Sequence, residues 1–508
     1  MKDGKLMAKI IFRIIFIGTV VLFFSCKKSG TSDLIVEGEV KVYPALPGNL
    51  YRSDRYVVSV SQNGISQDSY VYFNTNPLDG DGATQYMSLA NHFTTFSFSG
   101  EVTVKVTLPL RSTITSVEVR PLVKKVSATQ NGNVITFNLS SQGNYYLYVN
   151  GEDKHPLFIF ANKLEVNPPA SAGDPNVTYL EPGNHINSSV LPGIYYFKPG
   201  LHDIGEKGSA FQNLPSGVTI YLAGGAFVRG RFESTSSGTL TVKGRGVLSG
   251  INIPHVIGLF ANFMVDAYHG GVIVEGIIIS DAPQDNIVAV ATSSADNVKI
   301  LSWHWFNEGV GFFGRSSTVS NSFFKSPEDN ILLFSSNMVV RDNVFYQDGS
   351  SPLQFGWNSK VDVTNVTVDG VDIVGCIPGN TYQGPGGYTT PNMPIIGLRN
   401  NNGANYKGIL ISNVRCDVKP YMLIFIQLKA SYPPGVTGTG GVDGITFRNI
   451  TIPIQPIIPN LFDGNGSNPG DIKNVTFENV TIGGVKLTEQ NSSNYISRSG
   501  NTSGFIYK

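Results

Sequence analysis

Residues 318–346 read TVSNSFFKSPEDNILLFSSNMVVRDNVFY, and their rhythm decides the fold. Asn321 and Asn343 stand 22 residues apart, each beside a short apolar strand pattern. The next such phrase, "VTNVTVDGV" at 363–371, places Asn365 another 22 residues on. Asn297 in "ADNVKIL" lies 24 residues before Asn321, and "GILISNVRC", "GITFRNITI" and "NVTFENVTIGG" return later at wider spacing. A strand that recurs once per coil of roughly 20 to 30 residues, with Asn beside it, predicts a parallel β-helix. No single coil can bury its apolar face alone, so coils stack, and Asn side chains can ladder along the axis. A sandwich or a propeller can also space strands in this way, but the 22-residue regularity favours the helix.

Outward from this stretch the composition agrees. The chain has 508 residues with 56 Gly, 30 Phe and 22 Tyr, a usage rich in turns and strands. The expected fold class is all-β. Lys plus Arg and Asp plus Glu both number 37, so no broad basic surface exists for nucleic acid or another polyanion. Residues 34–165 carry short alternating strands such as "RYVVSVSQ", "EVTVKVTLPL" and "NYYLYVNG", the pattern of a β-sandwich. The Pro-containing "EVNPPASAGDPNVTYLEPGNH" then reads as a linker. The parallel β-helix is expected over 175–508.

Residues 1–26 have another character. Basic "MKDGKLMAKIIFR" precedes the apolar run "IIFIGTVVLFFSC", which is short for a bilayer span. Ser25 before Cys26 resembles a bacterial lipoprotein cleavage site, which implies lipidation of Cys26 and an exported, membrane-tethered protein, periplasmic or at the cell surface. An uncleaved anchor helix is the other reading. Cys376 and Cys416, the remaining cysteines, have neither disulfide-framework nor metal-ligand spacing and are expected as packed core thiols. "DGDG" at Asp79–Gly82 lacks the remaining ligands of a calcium loop and reads as a hairpin turn. No cofactor or metal is expected.

Three carboxylates stand out in a chain that is only 15% charged: Glu308 in "FNEGVGFF", and Glu328 and Asp329 in "KSPEDNIL". Their spacings of 20 and 21 residues nearly equal one coil, and neighbouring coils lie ~4.8 Å apart. They are therefore expected on one face as a cluster. Carboxylates held together raise at least one pKa and set a proton donor beside an ionised partner, as glycoside hydrolysis requires. The alternative is turn chemistry, which "SPEDN" and "NEG" also suit. Trp303, Trp305 and Trp357 are the only Trp residues, and all fall near this cluster. Their flat faces suit sugar rings, and core packing is the other reading. His269, with Asp266 and Tyr268, and Asp285, with Asp281, lie on the preceding coils as subsite candidates or surface loops.

The chain resembles glycoside hydrolase family 49, the dextranase and isopullulanase family. The likeness runs through "LYRSDRYVVSVSQNG", "SQDSYVYFNTNP", "YYFKPGLHDIG", "TIYLAGGAFVRGRFE", "GRGVLSGINI" and "NVTIGGVKLTEQN". Its most specific part is "SSPLQFGWNSKVDVTNVTVDGVDIV", where the family has a Gln-aromatic-Gly-Trp segment facing its active site. The resemblance implies a β-sandwich followed by a right-handed parallel β-helix, hydrolysis of α-glucans with inversion, and substrate contacts from Gln354 and Trp357. Glu308 stands at the family's Thr-Asp-Gly position, and Glu328 with Asp329 at its Asp-Asp pair. By position Glu328 is then the general acid, while Glu308 and Asp329 activate water. Two Asp have become Glu, and a Lys of the family falls at Leu332. Two rivals stand beside a hydrolase of neutral polysaccharide: a glycan-binding lipoprotein without activity, and a polygalacturonase-like pectin hydrolase. Against the latter, the chain has no Gly-His-Gly after the acidic pair and no Arg-Ile-Lys run.

Overall fold

The computed structural model describes residues 38–74, 91–111, 113–205, 207–255, 261–304, 307–357, 361–376, 382–384, 388–390, 394–400, 403–428, 440–464 and 471–508. The signal segment with Cys26, the turn at 79–82 and Trp305 lie outside the described residues. The described chain is β-strand joined by turns and single 3-10 turns. Among the described residues, no helix is long and apolar enough to cross a membrane.

Between Val40 and Lys163 the strands form a six-stranded and a five-stranded sheet. Period-two patterning explains the pairing. In Val102–Thr107 and Val134–Leu139 alternate residues are buried, and Val104, Val106, Ile135 and Phe137 meet Phe96, Phe98, Tyr145 and Leu157 in one core. Strand Asn91–Phe98 is buried at every position, because its second face is covered as well. There Phe93, with Tyr146, Phe158 and Phe160, packs on Leu301, Phe323, Tyr346 and Val374 of the later coils. Arg120 Nη1 donates to the Val374 carbonyl at 2.9 Å and Asn74 Nδ2 to the Leu301 carbonyl at 3.2 Å across the same junction. Gly38–Lys508 is one compact unit.

From Val177 onward nearly all pairing is parallel, in a 22-stranded sheet and a ten-stranded sheet that enclose one continuous apolar core. This is a parallel β-helix. In the ten-stranded sheet Val265, Ile287, Val310, Ile331, Leu353 and Ile396 stand in register, which makes successive coils 22, 23, 21, 22 and 43 residues long.

The recurring Asn residues have a conformational cause. Gly276, Asn297, Asn321, Asp342, Gly370, Asn413, Asn449 and Asn479 occupy equivalent register positions at a corner, and every one has a φ between 52° and 80°. Asn, Asp and Gly are the residues that enter the left-handed region at least cost. The amides also bond along the axis, from Asn479 Nδ2 to Asn449 Oδ1 at 2.9 Å and from Asn449 Nδ2 to Asn413 Oδ1 at 3.3 Å. The 22-residue Asn series mixes three roles, however. Asn297 and Asn321 belong to this corner, whereas Asn365 belongs to a second left-handed column, bonding Asn337 at 3.3 Å. Asn343 is buried and accepts from the Ser322 amide at 2.9 Å. Cys376 and Cys416 are buried free thiols.

Candidate active site

The ten-stranded sheet sets the site. The residue two places before each inward strand position is Asp285 ahead of Ile287, Glu308 ahead of Val310, Asp329 ahead of Ile331 and Ser351 ahead of Leu353. Three consecutive coils therefore carry a carboxyl at one register position, with Glu328 one residue before Asp329. Glu308, Glu328 and Asp285 are partly exposed, and Asp329 is buried.

Backbone and amide contacts hold this edge. The amides of Asn286, Gly309 and Asn330 donate to the carbonyls of Glu308, Asp329 and Ser351, each at 2.9 Å. Side-chain amides repeat the pattern. Asn286 Nδ2 bonds the Glu308 carbonyl at 2.9 Å, Asn330 Nδ2 bonds the Glu328 carbonyl at 2.8 Å, and the buried Asn307 bonds the Gln284 carbonyl at 2.7 Å. Gly309 is required by proximity, not by a bend: a Cβ there would stand 2.2 Å from the Asn330 carbonyl oxygen. The "NEG" sequence thus serves close coil stacking. These three Asn were missed in the sequence. Their adjacency to the acids was the available signal.

The electrostatics link the carboxyls. Asp285 stands one coil before Glu308 at the same register position, and burial, followed by the charge of Glu308, holds its carboxyl well above the usual carboxylate range. The charge of Glu328 acts in the same direction. Asp329 accepts from Ser350 Oγ at 2.5 Å and from the Ser351 amide at 3.1 Å, bonds that suit its ionised form. Arg399 lies two coils beyond Asp329, paired with Gly356 of the coil between. Burial lowers its guanidinium pKa, while the charges of Asp329 and Glu328 act to raise it. Its Cζ stands 5.0 Å over the Phe425 ring. Arg399 was also missed: the 43-residue coil between Leu353 and Ile396 removes the spacing that would have aligned it.

The remaining candidates fall in different places. Trp303 is 3% exposed, its ring lies 3.7 Å from that of His304, and its Nε1 donates to Asp281 at 2.9 Å. Its faces pack inside and are not offered to a sugar. Gln354 is buried with Nε2 on the Phe355 carbonyl at 2.7 Å. The Trp357 backbone pairs with Asn400. His269 is exposed beyond the far end of its strand, six register positions along from the carboxyl column, and is not brought to the acids. Leu332 is 6% exposed within its strand. Among the described residues no group of His, Cys, Asp and Glu is arranged to hold a metal ion.

No family model matches the chain. It is 22% identical to isopullulanase of Aspergillus niger over 527 aligned positions, covering 90% of each chain. It is 26% identical to dextranase of Arthrobacter globiformis over 294 positions, which span 50% of this chain and 45% of that one. Among solved structures, Dex49A of Penicillium minioluteum superposes with a TM-score of 0.67 at 18% identity, covering 89% of this chain and 92% of the other. These relatives support a likeness to the dextranase/isopullulanase-like glycoside hydrolases of family 49. Glu308, Glu328 and Asp329, the three residues singled out in the sequence, stand on two adjacent coils. Arg399, two coils beyond Leu332, is a cation on which the charges of Asp329 and Glu328 act.

Proposed function

We propose that this protein hydrolyses a neutral α-glucan such as dextran, with Glu328 as general acid and Glu308 together with Asp329 activating the attacking water. The observation that carries the reading is the register column: coils of 23 and 21 residues bring Asp285, Glu308 and Asp329 to one edge, with Glu328 beside them. Asp329, held by two donors, suits a carboxylate that takes a proton from water, and the partly open Glu328 suits delivery of a proton to the leaving oxygen. Water attacks the anomeric carbon as the glycosidic C–O bond breaks, and configuration inverts. That geometry needs carboxyls ~6.5–9.5 Å apart, reachable by long side chains splayed from adjacent coils. We place the enzyme outside the cytoplasm, anchored through a lipid on Cys26, on the strength of residues 1–26 alone.

The test is product analysis on dextran, pullulan, nigeran and polygalacturonate. New reducing ends are expected from an α-glucan, released first as the β-anomer, and Glu328→Gln should lower kcat by ~10²-fold or more with the fold intact. Glucan binding without new ends would identify a non-catalytic binder and overturn the proposal.

A further inference from the structure

Two buried charges lie beside the turn that carries the acidic pair. Lys325 Nζ stands 2.7 Å from Asp348 Oδ2, each side chain is 2% exposed, and the ammonium sits 5.3 Å over the ring of Tyr346, a member of the aromatic junction. Such a pair is a costly way to stabilise a fold, since both ions must leave water and apolar residues of similar volume serve as well. Its place in the chain offers another use. Lys325 ends the strand Phe323–Lys325, just before the turn with Glu328 and Asp329. Asp348 follows the strand Val339–Gln347 and begins the corresponding turn of the next coil. The two turns meet at three further points. A Cβ on Gly349 would overlap the Pro327 carbonyl, so this glycine serves close approach. Ser350 Oγ donates to Asp329 Oδ1 at 2.5 Å, and the Ser351 amide donates to the same oxygen at 3.1 Å. The buried Gln347 steadies the second turn, its Nε2 donating to the Ser350 carbonyl at 3.1 Å and to the Pro394 carbonyl at 3.3 Å.

We infer that Lys325, Asp348 and Ser350 are positioning residues for the hydrolytic reaction: the ion pair seats the turn 348–351 so that the Ser350 hydroxyl fixes the orientation of the Asp329 carboxylate. The inference rests on the proposed assignment of Asp329 as a water-activating carboxylate. In the reaction Asp329 accepts the proton of water while Ser350 keeps its own, and the ion pair exchanges none.

The experiment is a double-mutant cycle in the full chain. Ser350→Ala removes the hydroxyl, and Asp348→Asn removes the charge while keeping the shape. Each should lower kcat on the glucan that wild type cleaves by ~10-fold with KM changed by less than ~3-fold, as expected of a carboxylate misplaced by a fraction of an ångström. Ser350→Thr keeps a hydroxyl and should recover most of the loss. Because both changes act through one bond, the double variant should stay within ~3-fold of either single one. A loss near ~100-fold in the double variant would reveal two independent effects and overturn the inference. An unchanged kcat, a parallel rise in KM, or equal losses with Ala and Thr at position 350 would do the same. Should Asp348→Asn fail to fold, Lys325→Met combined with Asp348→Leu replaces both charges by apolar groups, an exchange that buried pairs tolerate. The same fall in kcat is expected there, and wild-type turnover would reject the role of the pair.

A second readout does not depend on glucan cleavage. The bond between Ser350 and Asp329 should appear as coupling in denaturant unfolding. Ser350→Ala should lower the folding equilibrium constant by ~10-fold in wild type, and by less than ~3-fold where Asp329→Ala or Asp348→Asn is already present. Equal losses in all three backgrounds would sink the inference. If wild type cleaves no glucan while this coupling persists, the functional reading fails and the seating of Asp329 by the ion pair and Ser350 stands.

Discussion

At the scale of single residues, the acids are supported by neutral amides more than by other charges. Asn286, Asn307 and Asn330 each use a side-chain N–H to hold a carbonyl on the neighbouring or same turn. Asn330→Ala removes the bond to the Glu328 carbonyl. We expect a stability loss of about 1 kcal/mol, typical of one hydrogen bond, and a ~10-fold fall in kcat from a misplaced Glu328. His269→Ala, at the other end of its strand, should stay within about twofold of wild type under the same assay. Steady-state kinetics with thermal melts on both variants checks the pair. The stacking of Glu308 and Asp329 was legible because 21 residues equals one coil. Asp285 obeyed the same arithmetic, 23 residues before Glu308, but its turn-like "SDAPQDN" setting hid it among rim candidates. Trp303 was misread for a physical reason: in a stacked coil an aromatic can face either way, and nothing local says which.

At the scale of the coil, one conformational requirement repeats. The corner column from Gly276 to Asn479 is left-handed throughout, so a residue with a Cβ and no compatible side chain is penalised by about 1–2 kcal/mol there. Asn449 also bonds both Asn413 and Asn479. Asn449→Ala should therefore lower stability by about 2 kcal/mol, and Asn449→Gly by distinctly less, because Gly keeps the backbone and loses only the ladder. Chemical denaturation of both decides it: equal losses would assign the column to side-chain bonding alone. The coil length was readable from the Asn series even though Asn343 and Asn365 turned out not to share the corner of Asn297 and Asn321. Each sits beside a strand, and strands recur once per coil whichever corner supplies the Asn. The 43-residue coil was not readable, since an inserted loop leaves the ladder unchanged while destroying the spacing.

At the scale of the whole molecule, burial of neutral imidazoles links folding to acidity. His92 is fully buried against Tyr56 and Phe73 at the face of the six-stranded sheet, and burial, with the nearby charges of His155 and Arg55, pushes its pKa down to about 3. The unfolded chain takes up a proton on this residue below about pH 6.5 and the folded chain does not. The stabilising difference is complete above that pH and is lost as pH falls toward 3. His92→Gln should remove the dependence. The stability of wild type relative to the variant should drop by about 1.4 kcal/mol per pH unit between pH 6 and 4, read from denaturant unfolding at each pH. A gap that does not change with pH would show that His92 is protonated in the folded protein.

The aromatic junction between the sandwich and the β-helix touches Ile278, Leu301, Phe323, Tyr346 and Val374, one residue from each coil that bears Asp285, Glu308, Glu328, Ser351 or Arg399. The rungs that carry the acids are thus braced by the sandwich, whereas the rungs from Tyr406 to Tyr507 lean mainly on one another. Heat should then peel the molecule from its tail, and the acidic edge would be among the last parts to lose its shape.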